Sequence, residues 1–247
     1  MCQTSRIAKL TETAHARDVA ARSGVTTRRA FNMLSDLAQR GEARRVSKGV
    51  YAPAQGRTSR ELTATPAMRR IARAIARAMP ALEPVIFSTA QVTGFMHNAP
   101  AREIVLVATA RAFARDLVRT LSDTGFNAQV VSTRADMERL LELPGRTIVV
   151  VLPIGELRAS KPFLGLRTAR PERVFVDLAV ERERVGLPLY SEDVVAVGEN
   201  LLANYDFSIS RALDYARRRR AYDEIAELLS AIVYAHPRLR AYEAALP

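Results

Sequence analysis

The chain has one cysteine, Cys2, no tryptophan and three histidines. A lone thiol excludes an intrachain disulfide and a cysteine-based zinc site, and makes the cytoplasm the expected compartment. His15, His97 and His236 are too scattered to form a metal site with Cys2, so neither a metal nor a cofactor is expected. Long apolar runs are also missing. The longest, Thr147 to Pro153, falls far short of the ~20 residues of a membrane span, and polar residues follow Met1 where a secretory signal needs apolar ones. The expectation is a soluble protein without a membrane partner. Lysine occurs only at Lys9, Lys48 and Lys161, so the positive charge is carried almost wholly by arginine.

That charge is unevenly placed. The net charge over 247 residues is +11, yet residues 1–80 hold 16 basic and 5 acidic residues while residues 81–247 hold 21 of each. A basic module joined to a balanced one is the footprint of a nucleic-acid binder attached to a second unit. The expected organisation is a DNA-binding domain over 1–53, a linker over 54–65 and a partner domain over 66–247.

Within the basic module, Val19 to Leu34 fits two short helices crossing through a tight turn. Ala20 is small enough for close packing, Gly24 suits the left-handed conformation that ends the first helix, and Val25 tucks under the turn. Thr26 caps a second helix running from about Thr26 to Gln39. Ala30, Leu34 and Leu37 recur at helical spacing as its buried stripe, which leaves Thr27, Arg28, Arg29 and Asn32 on the outer N-terminal face. Major-groove readers use that part of the helix, with arginine suited to guanine and asparagine to adenine. Glu42 to Pro53 reads as a hairpin turning at Lys48-Gly49, a wing that places Arg44, Arg45 and Lys48 near phosphates. Arg6 to Leu10 suggests a further helix closing the module, and His15 a surface or capping residue opening the next. The candidate DNA-binding residues are therefore Thr26, Thr27, Arg28, Arg29, Asn32, Arg44, Arg45 and Lys48. One such unit reads few base pairs, so specificity calls for dimerisation on inverted repeats or tandem sites.

Past the linker, Pro66 to Met79 is amphipathic, with Met68, Ile71, Ile75 and Met79 on one stripe and Arg69, Arg73 and Arg77 on another, Arg70 beside them. That cationic stripe is read first as the solvated face of a packing helix, and second as a contact to DNA backbone or an acidic partner. Strands are expected at Pro84 to Phe87, Ile104 to Thr109, Phe126 to Ser132, Thr147 to Leu152 and Val174 to Leu178. Helices are expected at Ala90 to Met96, Ala112 to Ser122 and Ala135 to Leu143. Three more helices are expected over Glu192 to Tyr205, Ser208 to Arg219 and Ala221 to Ala235. The fold class is mixed α/β: a winged helix-turn-helix followed by a larger α/β domain that ends in a helical bundle.

Motifs for catalysis are missing. The chain contains neither G-x-x-x-x-G-K nor G-x-G-x-x-G. Asp177 offers a single carboxylate where a nucleotidyltransferase needs a pair, and Glu156-Leu157-Arg158 has arginine where a metal-dependent nuclease needs lysine. Asp177 reads as a strand-end or interdomain residue, and no catalytic residue is expected. Arg217 to Arg220 close a helix at the negative end of its dipole, or offer a cationic edge to an acidic protein or RNA surface; four consecutive arginines on a helix cannot all face one way.

The order of these features resembles that of AbiEi-type antitoxins of type IV toxin-antitoxin systems: the wing Lys48-Gly49-Val50-Tyr51, Thr65-Pro66, Pro84 to Thr89, Val174 to Leu178, Leu187 to Tyr190, and the Tyr215 to Arg219 helix. The resemblance implies an antitoxin that represses its own promoter through the winged helix and opposes a nucleotidyltransferase-like toxin. The alternative is an ordinary winged-helix transcription factor whose α/β domain senses a ligand or dimerises.

Overall fold

In the computed structural model, residues 13–39, 43–47, 49–53 and 61–247 are described. The helix expected near Arg6 to Leu10, the turn residue Lys48, the side chain of Arg44 and the 54–60 part of the linker lie outside them.

A two-residue strand, β1 (Ala14–His15), leads into α1 (Ala16–Ser23), and α2 (Thr27–Gln39) follows after a tight turn. The hairpin β2 (Ala43–Ser47) and β3 (Val50–Pro53) completes a three-stranded antiparallel sheet in the order β1-β3-β2. Its two faces serve different cores. Ala43 and Tyr51 pack with Leu34 and Leu37 of α2, whereas Val46, Val50 and Ala52 join the large core containing the C-terminal helices. Strand alternation sends neighbouring side chains to opposite faces, so both faces of this short hairpin are covered.

Thr65 starts α3 (Pro66–Ala78): its hydroxyl accepts from the Met68 N–H at 3.1 Å, and Pro66 occupies the first turn, where its missing N–H costs nothing. The same hydroxyl donates to Glu103 Oε1 at 2.6 Å, as does Ser88 Oγ at 2.7 Å.

The central sheet is built from β4 (Val85–Ser88), β5 (Glu103–Ala108), β6 (Asn127–Val130), β7 (Thr147–Leu152), β8 (Ser160–Phe163) and β9 (Leu166–Ala169), in the order β6-β7-β5-β4-β9-β8. Pairing is mixed: β5, β6 and β7 run parallel, β4 pairs antiparallel with β5 and parallel with β9, and β8 pairs antiparallel with β9. Along β5 and β7, Ile104, Leu106, Ile148 and Val150 face one core while Val105, Val107, Val149 and Val151 face the other. Burial on both faces is the reason these strands read as unbroken apolar runs.

One sheet face is covered by α3 and α4 (Ala114–Asp123) through Met68, Ile71, Ile75, Leu117 and Leu121. The other is covered by α5 (Arg134–Glu142), α6 (Pro171–Val185), α7 (Ser191–Asn204), α8 (Ile209–Arg219) and α9 (Tyr222–Ala235), closed by a 3-10 segment over Pro237–Ala245. The chain is thus a mixed α/β protein with a helical C-terminal region. Among the described residues, no helix is long and apolar enough to cross a membrane.

Three sequence expectations need correction. Val174 to Leu178 is not a strand but the interior of α6, a helix buried all round, with Val174, Phe175, Val176 and Leu178 inaccessible. β-branched runs buried on every side have no polar alternation to separate helix from strand; Pro171 in the first turn and Gly186, at φ 71°, past the last were the local signs of a helix. Ala90 to Met96 forms two 3-10 turns, Thr89–Gln91 and Thr93–Phe95, in a stretch containing Gly94 and several β-branched residues. The hairpin β8-β9 was missed because an edge strand holding Lys161 and Pro162 looks like a loop.

Candidate nucleic-acid interface

The seat of α2 is set by a few backbone bonds. Gly24, at φ 62°, ends α1 with its N–H bonded to Ala20 O, and Val25 N–H reaches the same oxygen at 3.1 Å. Both carbonyl lone pairs of Ala20 are used, which fixes the angle at which the chain leaves α1. Thr26 then opens α2: its carbonyl accepts from Ala30 N–H at 3.0 Å and its hydroxyl from Arg29 N–H at 3.3 Å. Thr26 is thus a capping residue here, its hydroxyl committed to the helix itself.

Ala30, Leu34 and Leu37 are buried beneath α2, and Phe31 meets Tyr51 edge to face with ring centroids 6.1 Å apart. Thr27, Arg28, Arg29 and Asn32 are exposed. Arg28 and Arg29 have no ion pair among the described residues, so two guanidinium groups and an amide stand together at the positive end of a helix, with no acidic side chain in its first turn. Cations at that end are unfavourable unless an anion is brought to them.

The hairpin places Arg45 beside this face, its guanidinium 5.5 Å from the Phe31 ring centroid. The register slips between Arg45 and Ser47, and Gly49 takes φ 78° at the turn. Arg44 lies in β2, while its side chain and Lys48 are outside the described residues. Thr26, Thr27, Arg28, Arg29 and Asn32 are thus exposed together at the start of α2, and Arg45 reaches the same helix at Phe31. His15 occupies the N-cap position of α1 but makes no side-chain cap bond.

Asp177 is neither at a strand end nor between domains. It lies inside α6, fully buried, in an ionic cluster linking α6 to α8. Asp177 Oδ2 accepts from Arg173 Nε at 3.2 Å and Oδ1 from Tyr215 Oη at 2.8 Å; Arg219 bridges Asp177 and Glu181, and Arg184 bonds Glu181 from the rim at 2.7 Å. Arg173, inaccessible to solvent, also donates to Glu156 O at 2.5 Å. Burial disfavours the charged form of Arg219, but the Asp177 carboxylate, the Tyr215 oxygen and the Glu181 carboxylate together outweigh it and raise the guanidinium pKa. Burial, then the same carboxylate, pushes the Tyr215 phenol well above its ordinary pKa. These groups neutralise one another and hold two helices together.

The Arg217 to Arg220 run is resolved by this packing: Arg219 turns inward, Arg217 lies 4.3 Å from the Tyr222 ring centroid, Arg218 is exposed and Arg220 ends the helix at φ 58°. Helix-dipole stabilisation is therefore not what places Arg219. The four-residue spacing Arg173, Asp177, Glu181 was the available signal for the cluster, visible once this segment is read as a helix. Among the described residues, no group of three or more His, Cys, Asp or Glu could hold a metal ion.

A mixed α/β core with a helical C-terminal layer and a cationic α-β module at its N-terminal end defines the class of this protein. The chain belongs to DUF6577, a family of unknown function, whose model matches residues 30–235. The match begins inside α2, so Thr26 to Arg29 precede it, while Asn32, the hairpin, α3 and the α6–α8 cluster fall within it. No curated protein has significant similarity to the chain.

Proposed function

We propose that this protein is a DNA-binding repressor of the winged helix-turn-helix type, with the N-terminal half of α2 as its major-groove reader. The observation that carries the reading is the group Thr27, Arg28, Arg29 and Asn32, exposed together on a helix whose opposite side is locked by Ala30, Leu34 and Leu37. Arginine can bond guanine O6 and N7 in a fork, and asparagine can do the same with adenine N6 and N7. Arg45, with Arg44 and Lys48, would supply phosphate contacts that hold the register without reading sequence. Its target is double-stranded promoter DNA, and inverted repeats would engage two copies.

The resemblance to AbiEi-type antitoxins extends the proposal: the bound promoter is the protein's own, and the α/β domain opposes a nucleotidyltransferase-like toxin. The toxin carries the transferase chemistry, and no catalytic role is assigned to this chain.

The test is a promoter footprint followed by binding titrations. Arg28→Ala and Arg29→Ala should each weaken the preferred promoter by about 1–3 kcal/mol and relax preference at one base pair. Unchanged promoter binding by the double variant would refute α2 as the reader. Co-expression with a neighbouring nucleotidyltransferase-like gene tests the second part: growth should be rescued by this chain, and absence of rescue would leave a repressor without antitoxin activity.

A further inference from the structure

The second concentration of positive charge lies on α3. Over its thirteen residues the helix carries Arg69, Arg70, Arg73 and Arg77 and no acidic residue. All four are exposed; Arg70 lies 5.2 Å from the Phe126 ring centroid, and the other three have no ion pair among the described residues. Arg69, Arg73 and Arg77 follow one another at about 6 Å along the axis, each turned about 40° from the last.

Arg70 has a folding role over the Phe126 ring, but folding does not require the row Arg69, Arg73 and Arg77. Like charges four residues apart repel, and Arg69 and Arg70 sit near the start of the helix, where its dipole disfavours cations. The buried side supplies the packing through Met68, Ile71, Ala72 and Ile75, none of which needs an arginine neighbour. At the same end, Ala64 and Pro66 with Arg69, Arg70 and Arg73 line a shallow hollow, so an open surface lies beside the N-terminal part of the arginine row.

We infer that the exposed face of α3 is a second, sequence-independent contact surface for the phosphate backbone of duplex DNA. None of the large exposed apolar side chains lies on α3, so the face lacks the anchor that a protein partner would bury. It has no exposed aromatic ring for stacking bases, which a single strand would use. A row of arginines without either feature matches backbone contact.

The surface is separate from α2 and does not depend on the reading given to α2. The hairpin that packs against α2 joins the core on one side of the central sheet, whereas α3 packs on the other.

The experiment is fluorescence anisotropy of the full chain with a short labelled duplex of arbitrary sequence, over a series of salt concentrations. Three phosphate contacts contribute about 2.7 to the slope of log affinity against log salt. Arg69→Gln, Arg73→Gln and Arg77→Gln together should make the slope shallower by about that amount. Glutamine is nearly as good a helix former as arginine, and these side chains are exposed, so the variant keeps its fold, as circular dichroism would verify. The corresponding triple lysine variant should retain the slope, because the contact is one of charge. A wild-type slope in the glutamine variant, or loss of all binding on Arg28→Ala with Arg29→Ala alone, would overturn the inference. Unchanged promoter preference in that double variant would instead remove the α2 reading and leave the α3 result standing.

Discussion

Truncating Arg219 to alanine should be among the most damaging single changes in the C-terminal region. Its side chain is 6% exposed and lies between Asp177 and Glu181, both inaccessible. Removing one partner of a buried pair costs about 3–5 kcal/mol, chiefly because the remaining charge stays buried. Asp177 would retain Arg173 at 3.2 Å and the Tyr215 hydroxyl, and Glu181 would retain Arg184 at 2.7 Å. Those surviving partners place the expected loss near the lower end, about 3 kcal/mol, which for a chain of this size lowers Tm by about 6–12 °C. Urea unfolding followed by circular dichroism measures the loss. The control is Arg218→Ala: that side chain is exposed and one residue away, and the change should cost no more than about 0.5 kcal/mol. Arg219→Ala with Asp177→Asn should cost less than the sum of the two single changes, since each already removes the other's partner, although the buried Arg173 then lacks its carboxylate. Asp177→Asn alone should destabilise. Coupling of this sign is expected at about 0.5–3 kcal/mol for groups in one network. Equal stability of the two arginine variants, or simple additivity in the double variant, would refute a cluster that holds α6 to α8.

Two further tests address the same region. A Cβ at Gly198 would lie 2.6 Å from Phe175 Cε2 and 2.7 Å from Ile232 Cδ1, where α7 packs closely on α6 and α9. Gly198→Ala should therefore destabilise by about 1–3 kcal/mol through overpacking, and an unchanged thermal midpoint would contradict that approach. At Glu172, burial pushes the carboxyl above the ordinary carboxylate range, with Arg211 at 2.8 Å offsetting only part. The folded protein then holds this proton more tightly than the unfolded chain, so the group's contribution is fully present below the ordinary carboxylate pKa and declines as pH rises through the raised one. Glu172→Gln cannot ionise and should lack that decline, so its stability relative to wild type should increase across the window; parallel urea-midpoint profiles would count against it.

Much of the secondary structure is legible locally. Thr147 to Leu152 coincides with β7, α2 and the three C-terminal helices lie within a residue or two of their expected bounds, and the stripes of α3 divide into buried and exposed sets as their spacing requires. The exposure of Arg28, Arg29 and Asn32 was equally readable, because a helix with Ala30, Leu34 and Leu37 inward has only one direction left for them. Segregation of positive charge into the first third is read directly from the order of the residues.

Other features depended on distant chain. Val174 to Leu178 is helical because the large core surrounds it, and a segment buried on all sides has no polar face from which to read a period. Arg219 lies inside because Asp177 and Glu181 of α6, some forty residues earlier, face α8, whereas its neighbours Arg217, Arg218 and Arg220 have no such carboxylate among the described residues. The hairpin looked like a free wing from its turn residues, yet Val46, Val50 and Ala52 belong to the C-terminal core. Periodicity and turn chemistry act over a few residues, so the sequence by itself determined most helical and extended segments, α6 and the β8-β9 hairpin excepted, and where charge collects. Burial is settled between residues far apart in the chain, and so only the tertiary structure decided which charges turn inward to be neutralised and which remain at the surface.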